Sequence, residues 1–190
     1  MRWTVKKPIK NCVDLILMRP MTEGLMLLIV INAGQSVPEN LEYENIDMIQ
    51  PLWEELNQVH YELSPYFKDR YQNMNWDKRK RTLLEKSNDM LFEYVIDTND
   101  KNLIGYCIST IEKHEEKTGE IDSIYIDEKY RKSGIGKRLV ENAVSWFNSN
   151  NIETQKIMVA VGNEQVLNFY GEFDFYPAHI ILKKRKVECN

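Results

Sequence analysis

Apolar residues recur along the chain with two spacings, one typical of helices and one typical of strands. Residues 46–63 carry apolar side chains three and four positions apart, and so does the stretch from Ile135 to Phe147. Both segments therefore predict amphipathic helices. Pro51 suits the first of them because it lies near the first turn. A highly charged helix is also predicted near residues 77–86.

Shorter apolar runs between turn-forming residues predict the strands of a sheet. The expected strands are 12–18, 25–31, 91–97, 103–112, 121–126, 157–161 and, within 179–186, residues 180–182. The run at 25–31 is too short to span a bilayer, and its unbroken apolar character suits a strand covered on both faces. Residues 41–43 are an alternative for the first strand before the helix at 46–63. Together these elements predict an α/β fold that begins with an extension of strands.

The composition and the net charge argue against several classes of function. Of the 190 residues, 43% are hydrophobic and 28% are charged, as in an ordinary globular domain. A net charge of −4 argues against general nucleic-acid binding, which favours basic surfaces. Cys12, Cys107 and Cys189 are widely spaced, without a zinc-site pattern, and suggest a reducing compartment. We therefore expect a cytoplasmic protein without a metal, a nucleic-acid partner or a membrane segment.

The segment with the clearest chemical meaning is Arg-Lys-Ser-Gly-Ile-Gly at residues 131–136, between a predicted strand and a predicted helix. Glycines let the backbone approach a ligand closely, and the first turn of a helix presents unpaired N–H groups at its positive end. Basic residues flank the turn on both sides. The turn lacks the third glycine of a dinucleotide fingerprint and the Gly-Lys-Ser/Thr of a P-loop. It therefore suits a pyrophosphate, although a turn whose glycines only relieve strain is the alternative.

This turn, Arg-x-x-Gly-x-Gly after a strand ending Ile-Tyr-Ile-Asp, resembles the pyrophosphate-binding motif of the GNAT superfamily of acyl-CoA-dependent N-acetyltransferases. Residues 163–170, Asn-Glu-Gln-Val-Leu-Asn-Phe-Tyr, resemble the motif that follows it, and the aromatic residues at 173, 175 and 176 match its exit into the last strands. The likeness covers roughly residues 45–186. Asp174 departs from it, since the family commonly has Gly there. Helix ends often need a left-handed backbone, which Asp tolerates better than most residues.

The resemblance implies a central mixed, mostly antiparallel sheet flanked by helices. Residues 1–40 would form the N-terminal extension, its strands joined to the main sheet, and residues 41–190 the N-acetyltransferase domain. It also implies acetyl-CoA as acyl donor, no metal, and an amine acceptor on a small molecule, peptide or protein. A homodimer is left open.

The resemblance also implies which residues contact acetyl-CoA. The pantetheine arm would lie along the strand at Ile124, Tyr125 and Ile126, read mainly by main-chain groups. The residues expected around the pyrophosphate, mostly through backbone N–H groups, are Arg131, Lys132, Gly134, Ile135, Gly136 and Lys137. Asn163 would contact the cofactor through its amide, or act as a helix N-cap, or do both.

Acyl transfer to an amine needs a base that removes the ammonium proton and an acid that assists the leaving thiolate. The resemblance points to Tyr170 as the acid, with simple aromatic packing beside Phe169 as the alternative. It points to Glu120 as the base, directly or through water, from its spacing to the glycine turn in the histone-acetylating branch of the family. Asp122 lies two residues on and hence on the same strand face. Both carboxylates could instead be solvated charges at a strand edge.

The acceptor side is less defined by the sequence. Several aromatic residues before the third strand could wall the acceptor site or belong to the core, namely Trp53, Tyr61, Tyr66, Phe67 and Tyr71. The three histidines, His60, His114 and His179, have no motif support and are expected at the surface or in packing. Three functions stay open: an N-acetyltransferase, a non-catalytic acyl-CoA-binding or sensor protein, and an interaction module dimerising through the N-terminal extension.

Overall fold

A six-stranded sheet, with its strands in the order of the sequence, forms the centre of the protein. The computed structural model describes residues 13–18, 26–33, 43–86, 89–97, 99–113 and 116–185. The strands are β1 (Val13–Met18), β2 (Met26–Ala33), β3 (Asp89–Asp97), β4 (Leu103–Lys113), β5 (Lys117–Ile126) and β6 (Thr154–Ile157). Neighbouring strands are antiparallel except β5 and β6, which are parallel.

Five α-helices and three short 3-10 helices surround this sheet in the described residues. The α-helices are α1 (Gln50–Leu63), α2 (Lys68–Gln72), α3 (Trp76–Lys86), α4 (Ile135–Ser149) and α5 (Leu167–Gly171). The 3-10 helices are Tyr43–Ile49, Glu128–Tyr130 and Glu164–Val166. Pro51 lies at the start of α1, where its missing N–H is not needed.

Each face of the sheet carries its own apolar core, because side chains alternate between the two faces of a strand. On one face, Cys107 and Ile121 pack with α4 and α5 in a cluster that we call the α4 core. On the other face, Tyr106 and Ile108 pack with α1 and α3 in a cluster that we call the α1 core. The predicted mixed, mostly antiparallel sheet flanked by helices is confirmed, and the strands β1 and β2 extend it at its N-terminal side.

Several sequence predictions concern residues outside this description. They are the positions of Cys12, His114 and Cys189 and the burial of the side chains at 25–31. Tyr43 begins a 3-10 helix, so the alternative first strand is wrong at that residue, and residues 41 and 42 lie outside the described ranges. The short helix α2 lies between the two predicted helices and is not among the predicted elements.

Two predicted strands are misplaced or absent in the structure, and β5 begins at Lys117, four residues before the predicted start. The strand expected at 157–161 lies instead at Thr154–Ile157, and residues 158–161 have no strand neighbour in the described part of the chain. The strand expected at 180–182, within residues 179–186, is wrong, because the chain is irregular and exposed there. A segment with strand propensity forms a strand only where a neighbouring strand supplies hydrogen-bond partners for its backbone. Neither segment has such a neighbour in the described residues.

Asp174 has the left-handed backbone that the sequence predicted, with φ of 63°. It follows α5, where the N–H groups of Phe173 and Phe175 both donate to the Tyr170 carbonyl, at 3.0 and 3.2 Å. This hydrogen-bonded reversal ends the helix and directs the chain away from it.

We expect Asp174→Ala to lower the free energy of unfolding by about 1 kcal/mol, because alanine has no polar group to ease a left-handed backbone. Asp174→Gly should leave the stability equal to that of the wild type or raise it, because glycine adopts this conformation without strain. Denaturant unfolding measures both. The side chain is exposed, so lost packing does not confuse the result. Equal stability of the Ala and Gly variants would contradict the account.

Candidate functional site

The two parallel strands separate beyond residue 121 and leave an opening in the sheet. β5 and β6 pair only from Thr118 opposite Thr154 to Ile121 opposite Ile157. At this point β5 contains a bulge, since Ile121 lies opposite Ser109 and Ser123 lies opposite Ile108, which leaves Asp122 as the additional residue. From there to Ile126, β5 pairs only with β4 among the described strands. Its other edge can therefore hydrogen-bond a ligand.

A glycine turn connects the end of β5 to α4. Gly134 is the N-cap of α4, has φ of 89° and provides no side-chain cap. The intrahelical hydrogen bonds begin when the Arg138 N–H donates to the Gly134 carbonyl at 3.0 Å, so the three preceding N–H groups have no partner within the helix. No acidic residue occupies the first turn of this 15-residue helix. The turn therefore offers an anion the positive end of α4.

The α5 segment packs against this turn. A Cβ atom built at Gly136 would lie 3.6 Å from Cζ of Phe169 and 4.0 Å from Cγ1 of Ile126. Phe169 therefore borders the first turn of α4 and the end of β5. Phe169 also packs edge-on against Tyr170, with ring centroids 5.1 Å apart. The glycine turn and the 163–170 segment, separate in sequence, form one site.

Tyr170 is buried in the α4 core, with 7% of its surface exposed. Its hydroxyl makes no hydrogen bond to any described residue, and the oxygen itself is not sealed from solvent, so a ligand can reach it. Burial raises the pKa of Tyr170 above its usual range, and the neighbouring Cys107 raises it further. The phenol therefore keeps its proton through the neutral range and can donate it in a hydrogen bond.

Glu120 and Asp122 project from the opposite face of β5, on the side of the α1 core. Glu120 is 2% exposed, and its Oε2 lies 3.2 Å from Nζ of Lys156, its register partner on β6. Asp122 forms an ion pair with Arg79 of α3. The two carboxylates thus share a face, as predicted, but each is held by a basic side chain and neither is a freely solvated charge.

A family model described as the acetyltransferase (GNAT) family matches residues 50–175, which is more than half of the chain. The chain belongs to the GNAT acetyltransferase family. A comparison with curated proteins gave no significant match. The match covers the opening between β5 and β6, the glycine turn and α5.

Solved structures with the same fold share little sequence with this GNAT protein. A putative acetyl transferase from Pyrococcus furiosus is 18% identical, covers 84% of this chain and 99% of its own, and has a TM-score of 0.62. Glucosamine-6-phosphate N-acetyltransferase from Arabidopsis thaliana is 17% identical over 76% and 93%, with a TM-score of 0.51. An aminoglycoside acetyltransferase from an uncultured soil metagenomic sample is 14% identical over 85% and 97%, with a TM-score of 0.57. These likenesses establish the fold alone.

The basic residues of the GNAT glycine turn differ in how strongly other residues hold their side chains. The Arg131 backbone N–H donates to the Glu128 carbonyl at 3.2 Å, and its Nε donates to the Ile126 carbonyl at 3.0 Å. Its guanidinium carbon lies 5.4 Å from the Tyr125 ring centroid.

Lys132 is exposed, with φ of 62°. Lys137 is 55% exposed and 3.8 Å from a Glu172 carboxylate oxygen. Arg131 therefore braces the end of β5, whereas the two lysines can move toward a ligand.

Asn163 precedes the 3-10 helix Glu164–Val166 but makes no side-chain cap. Its Oδ1 instead accepts a hydrogen bond from Nε2 of Gln165 at 2.6 Å. The alternative role as an N-cap therefore receives no support from a hydrogen bond. The side-chain Nδ2 of Asn163 has no partner among the described residues and can donate to a ligand, whereas its backbone N–H donates to the Ala160 carbonyl at 3.0 Å.

The aromatic residues expected near the acceptor divide between core and surface. Trp53 is buried in the α1 core, 5.5 Å from Trp76 between ring centroids. Tyr66 is 65% exposed.

His60 is partly buried beside Tyr71, and the centroids of the two rings are 5.4 Å apart. Burial lowers the pKa of His60, and the positive charge of Arg70 lowers it further. Tyr61, Phe67 and Tyr71 are partly buried, and His179 is exposed in the C-terminal tail.

Three further polar residues around β5 escaped the sequence analysis. Glu55 of α1 accepts a hydrogen bond from the Tyr125 hydroxyl at 3.1 Å, and Arg79 and Lys156 hold the two carboxylates of β5. Glu55 lies 70 residues before Tyr125 and Arg79 lies 43 before Asp122. No local spacing could have revealed these contacts.

Among the described residues, no group of three or more His, Cys, Asp or Glu side chains is placed to hold a metal ion. The described helices include none that is long and apolar enough to cross a bilayer.

Proposed function

We propose that this GNAT protein transfers an acetyl group from acetyl-CoA to a primary amine by direct attack of the amine on the thioester. In this proposal Glu120 is the base, directly or through water, and Tyr170 is the acid. The observation that carries it is the juxtaposition of the open edge of β5, the glycine turn and the unpartnered Tyr170 hydroxyl. Each of the three suits a different part of an acyl-CoA molecule.

The described residues fit acetyl-CoA. The edge of β5 at Ile124, Tyr125 and Ile126 has no strand neighbour among the described residues and offers main-chain groups to the amides of the pantetheine arm, apart from the Ile126 carbonyl, which already accepts from Nε of Arg131. The N–H groups of Ile135, Gly136 and Lys137 suit the pyrophosphate, since they begin a helix and have no acidic neighbour in its first turn. Arg131, Lys132, Gly134 and Asn163 complete this proposed site. When bound, acetyl-CoA supplies the reactive thioester.

The positions of Glu120 and Tyr170 support their different roles. Glu120 precedes Ile121 of the α4 core in the strand and therefore lies on the face of the α1 core, whereas Tyr170 belongs to the α4 core. The strands part just beyond Glu120, so the opening connects these two faces. An amine entering from the α1 side would meet the base first. A thiolate leaving on the α4 side would meet the phenol.

The raised pKa of Tyr170 defines what this residue can do. A phenol that is harder to ionise than usual is a weak acid toward a thiolate, because proton transfer is most efficient when the acid titrates near the working pH. It remains a hydrogen-bond donor at every pH at which an amine acetyltransferase would be assayed. Tyr170 would therefore stabilise the developing thiolate mainly through its hydrogen bond.

A non-catalytic acyl-CoA-binding or sensor protein is the second candidate. It is favoured by the ion pair between Glu120 and Lys156 and by the 2% exposure of Glu120, which restrict contact with an incoming ammonium. The unpartnered hydroxyl of Tyr170 favours catalysis, since binding alone does not require it.

An acetyl-CoA turnover screen, followed as free thiol, tests the proposal. The amines should include a polyamine, an amino sugar phosphate, an aminoglycoside, an amino acid and a lysine-containing peptide. Two of these classes come from the substrates named for the relatives from Arabidopsis thaliana and the soil sample. Amine-dependent thiol release supports the transferase. Saturable acetyl-CoA binding without release for any amine supports the sensor, and absence of binding contradicts both.

We also propose that residues 1–40 form an extension to an acetyltransferase domain at 41–190, and that the protein works in the cytoplasm. The pairing of β1 with β2 and of β2 with β3 supports the first proposal, since both early strands continue the main sheet. The free, buried Cys107 is compatible with the second.

We expect Glu120→Gln to lower the rate most at pH values below the pKa of the amine. Nearly all of the acceptor is then ammonium and needs a base, whereas at higher pH the amine loses its proton unaided and the defect should shrink. The measurement is a pH–rate profile with the best amine from the screen. Tyr170 does not distort it, because its raised pKa keeps the phenol protonated throughout.

The matched control is Glu153→Gln, which removes an exposed carboxylate just before β6. It should leave the profile unchanged. A defect of constant size across pH would assign Glu120 to electrostatic binding of the cationic acceptor. An unchanged rate at every pH would exclude Glu120 as the base.

A further inference from the structure

One amine of the protein itself already lies where the proposed acceptor must come. Lys156 of β6 is the register partner of Glu120, and its Nζ lies 3.2 Å from Oε2 of that carboxylate. An amine that Glu120 deprotonates directly has to come within hydrogen-bond reach of it, at about 2.6–3.2 Å. Lys156 therefore meets, without any movement, the distance that is required of an external substrate.

Lys156 also lies on the side of the sheet that we propose for the acceptor. Paired residues of neighbouring strands point to the same face, so Lys156 shares the face of the α1 core with Glu120. Its side chain is 44% exposed, whereas that of Glu120 is 3% exposed. The lysine thus contacts both the buried carboxylate and the solvent through which an amine would arrive.

The side chain of Lys156 is long enough to reach the opening between β5 and β6. The last pair of these strands is Ile121 with Ile157, one residue beyond Lys156, and a strand rises by about 3.3 Å per residue. The four-carbon stem of a lysine is flexible and exceeds this distance. Nζ can therefore turn from the ion pair toward a thioester in the opening without a change in the backbone.

Two other lysine–carboxylate pairs show what is particular about Lys156. Lys80 of α3 pairs with Asp47, with 2.6 Å between Nζ and Oδ2. Lys137 lies 3.8 Å from a carboxylate oxygen of Glu172, at the glycine turn and thus at the proposed pyrophosphate end of the ligand. Neither of these carboxylates is the proposed base. Lys156 combines a primary amine, the proposed base and the opening in one place.

We propose that Lys156 is an internal acceptor, which the protein acetylates on Nζ with its own bound acetyl-CoA when no amine substrate is present. The ammonium first gives a proton to Glu120, which passes it to solvent. The neutral Nζ then attacks the thioester carbonyl, and a C–N bond forms as the C–S bond breaks. The second proton leaves the nitrogen, and the CoA thiolate, stabilised by Tyr170, takes up a proton to become the free thiol. This inference rests on the proposed function, because it uses the same base, acid and acyl donor.

The first test counts the products of the full chain incubated with acetyl-CoA in the absence of an amine. The wild type should release one CoA per chain and then stop, and it should gain one acetyl group, which peptide mass spectrometry locates on Lys156. Lys156→Arg keeps a positive charge beside Glu120 but has no acetylatable amine, so it should abolish both. The matched control is Lys117→Arg, which replaces an exposed lysine at the start of β5 and should change neither.

The second test distinguishes this reaction from uncatalysed acetylation of surface lysines. Acetic anhydride should modify the exposed Lys117 faster than Lys156, because the amine of Lys156 is less accessible and is held in an ion pair. With acetyl-CoA the order should be reversed. Tyr170→Phe should slow the acetylation of Lys156 by the same factor as it slows turnover, and it should leave Lys117 unaffected.

The rate constant for Lys156 should not change when the protein is diluted, because the reaction occurs within one chain. A rate constant that falls in proportion to the protein concentration would show transfer between copies and would overturn the internal reaction. A Tyr170→Phe variant that acetylates Lys156 at the wild-type rate would also overturn it, since the reaction would then be uncatalysed.

The results separate this inference from the proposed function. If an external amine releases thiol while Lys156 stays unmodified, or is modified no faster than Lys117, the internal acceptor is excluded and the acetyltransferase is supported. If Lys156 is acetylated in a reaction that depends on Tyr170 but no amine releases thiol, the inference is supported and transfer to an external amine is contradicted. Absence of both reactions in a protein that binds acetyl-CoA would overturn both.

Discussion

Tyr170→Phe should lower the turnover rate about a hundredfold or more and leave the affinity for acetyl-CoA nearly unchanged. Loss of one hydrogen-bond donor aimed at charge that develops in the transition state typically has an effect of this order. The substitution removes only the hydroxyl, and this hydroxyl has no hydrogen-bond partner among the described residues. Neither the packing of the ring against Phe169 nor the fold should therefore suffer. Steady-state rates with a productive amine, together with calorimetric binding of acetyl-CoA, measure the two quantities.

Tyr176→Phe is the matched control, since it removes a hydroxyl from a ring that is 70% exposed. Its rate should equal that of the wild type. Wild-type turnover in Tyr170→Phe would reduce Tyr170 to a packing residue. An equal loss of rate and of acetyl-CoA affinity would assign its hydroxyl to binding, with no special role in the transition state.

Gly134→Val should reduce acetyl-CoA affinity by about tenfold from backbone strain alone, and by more if the side chain also blocks the approach of the ligand. A residue with a Cβ is strained by roughly 1–2 kcal/mol in the left-handed region, and a branched one is among the worst suited. Gly134 has φ of 89° and caps α4, so relief of the strain would turn the first N–H groups of the helix away from the pyrophosphate. The chain should remain folded, because Gly134 is exposed and outside both cores.

Gly134→Asn separates the two causes of this loss. Asparagine tolerates a left-handed backbone, so it restores the turn but keeps a side chain near the ligand. Recovery of affinity in Gly134→Asn identifies strain as the main cause, and continued loss identifies steric intrusion. If calorimetry shows that Gly134→Val binds acetyl-CoA with the wild-type affinity, this turn is not the pyrophosphate-binding site.

Local patterns in the sequence were sufficient for the elements that carry the proposed acetyl-CoA site. The apolar spacing from Ile135 onward and the glycine at 134 fixed the start of α4, which the structure places at Ile135. Asp174 was recognised as a left-handed helix end because only a few residue types tolerate that backbone. Such features depend on a few neighbouring residues, so the sequence alone is enough to find them.

Features that depend on distant contacts could not be found in this way. The bulge at Asp122 and the separation of β5 from β6 arise from pairing between strands, which no local pattern encodes. The ion pair of Asp122 with Arg79 joins residues 43 positions apart. Residues 158–161 and 180–182 have strand propensity but no neighbouring strand in the described residues, so the strands predicted there are wrong.

The division of the apolar interior into an α4 core and an α1 core has a consequence for how such a protein can change its substrate. Most of the proposed acetyl-CoA contacts belong to the α4 side, with the Tyr125 side chain as the exception, whereas α1 and α3 pack on the other face of the sheet. Residues that share no contacts have nearly additive effects on stability. Substitutions that reshape the α1 side for a new amine can therefore accumulate while the acyl-donor half keeps its geometry. A single acyl donor can in this way be retained through the divergence of many acceptors.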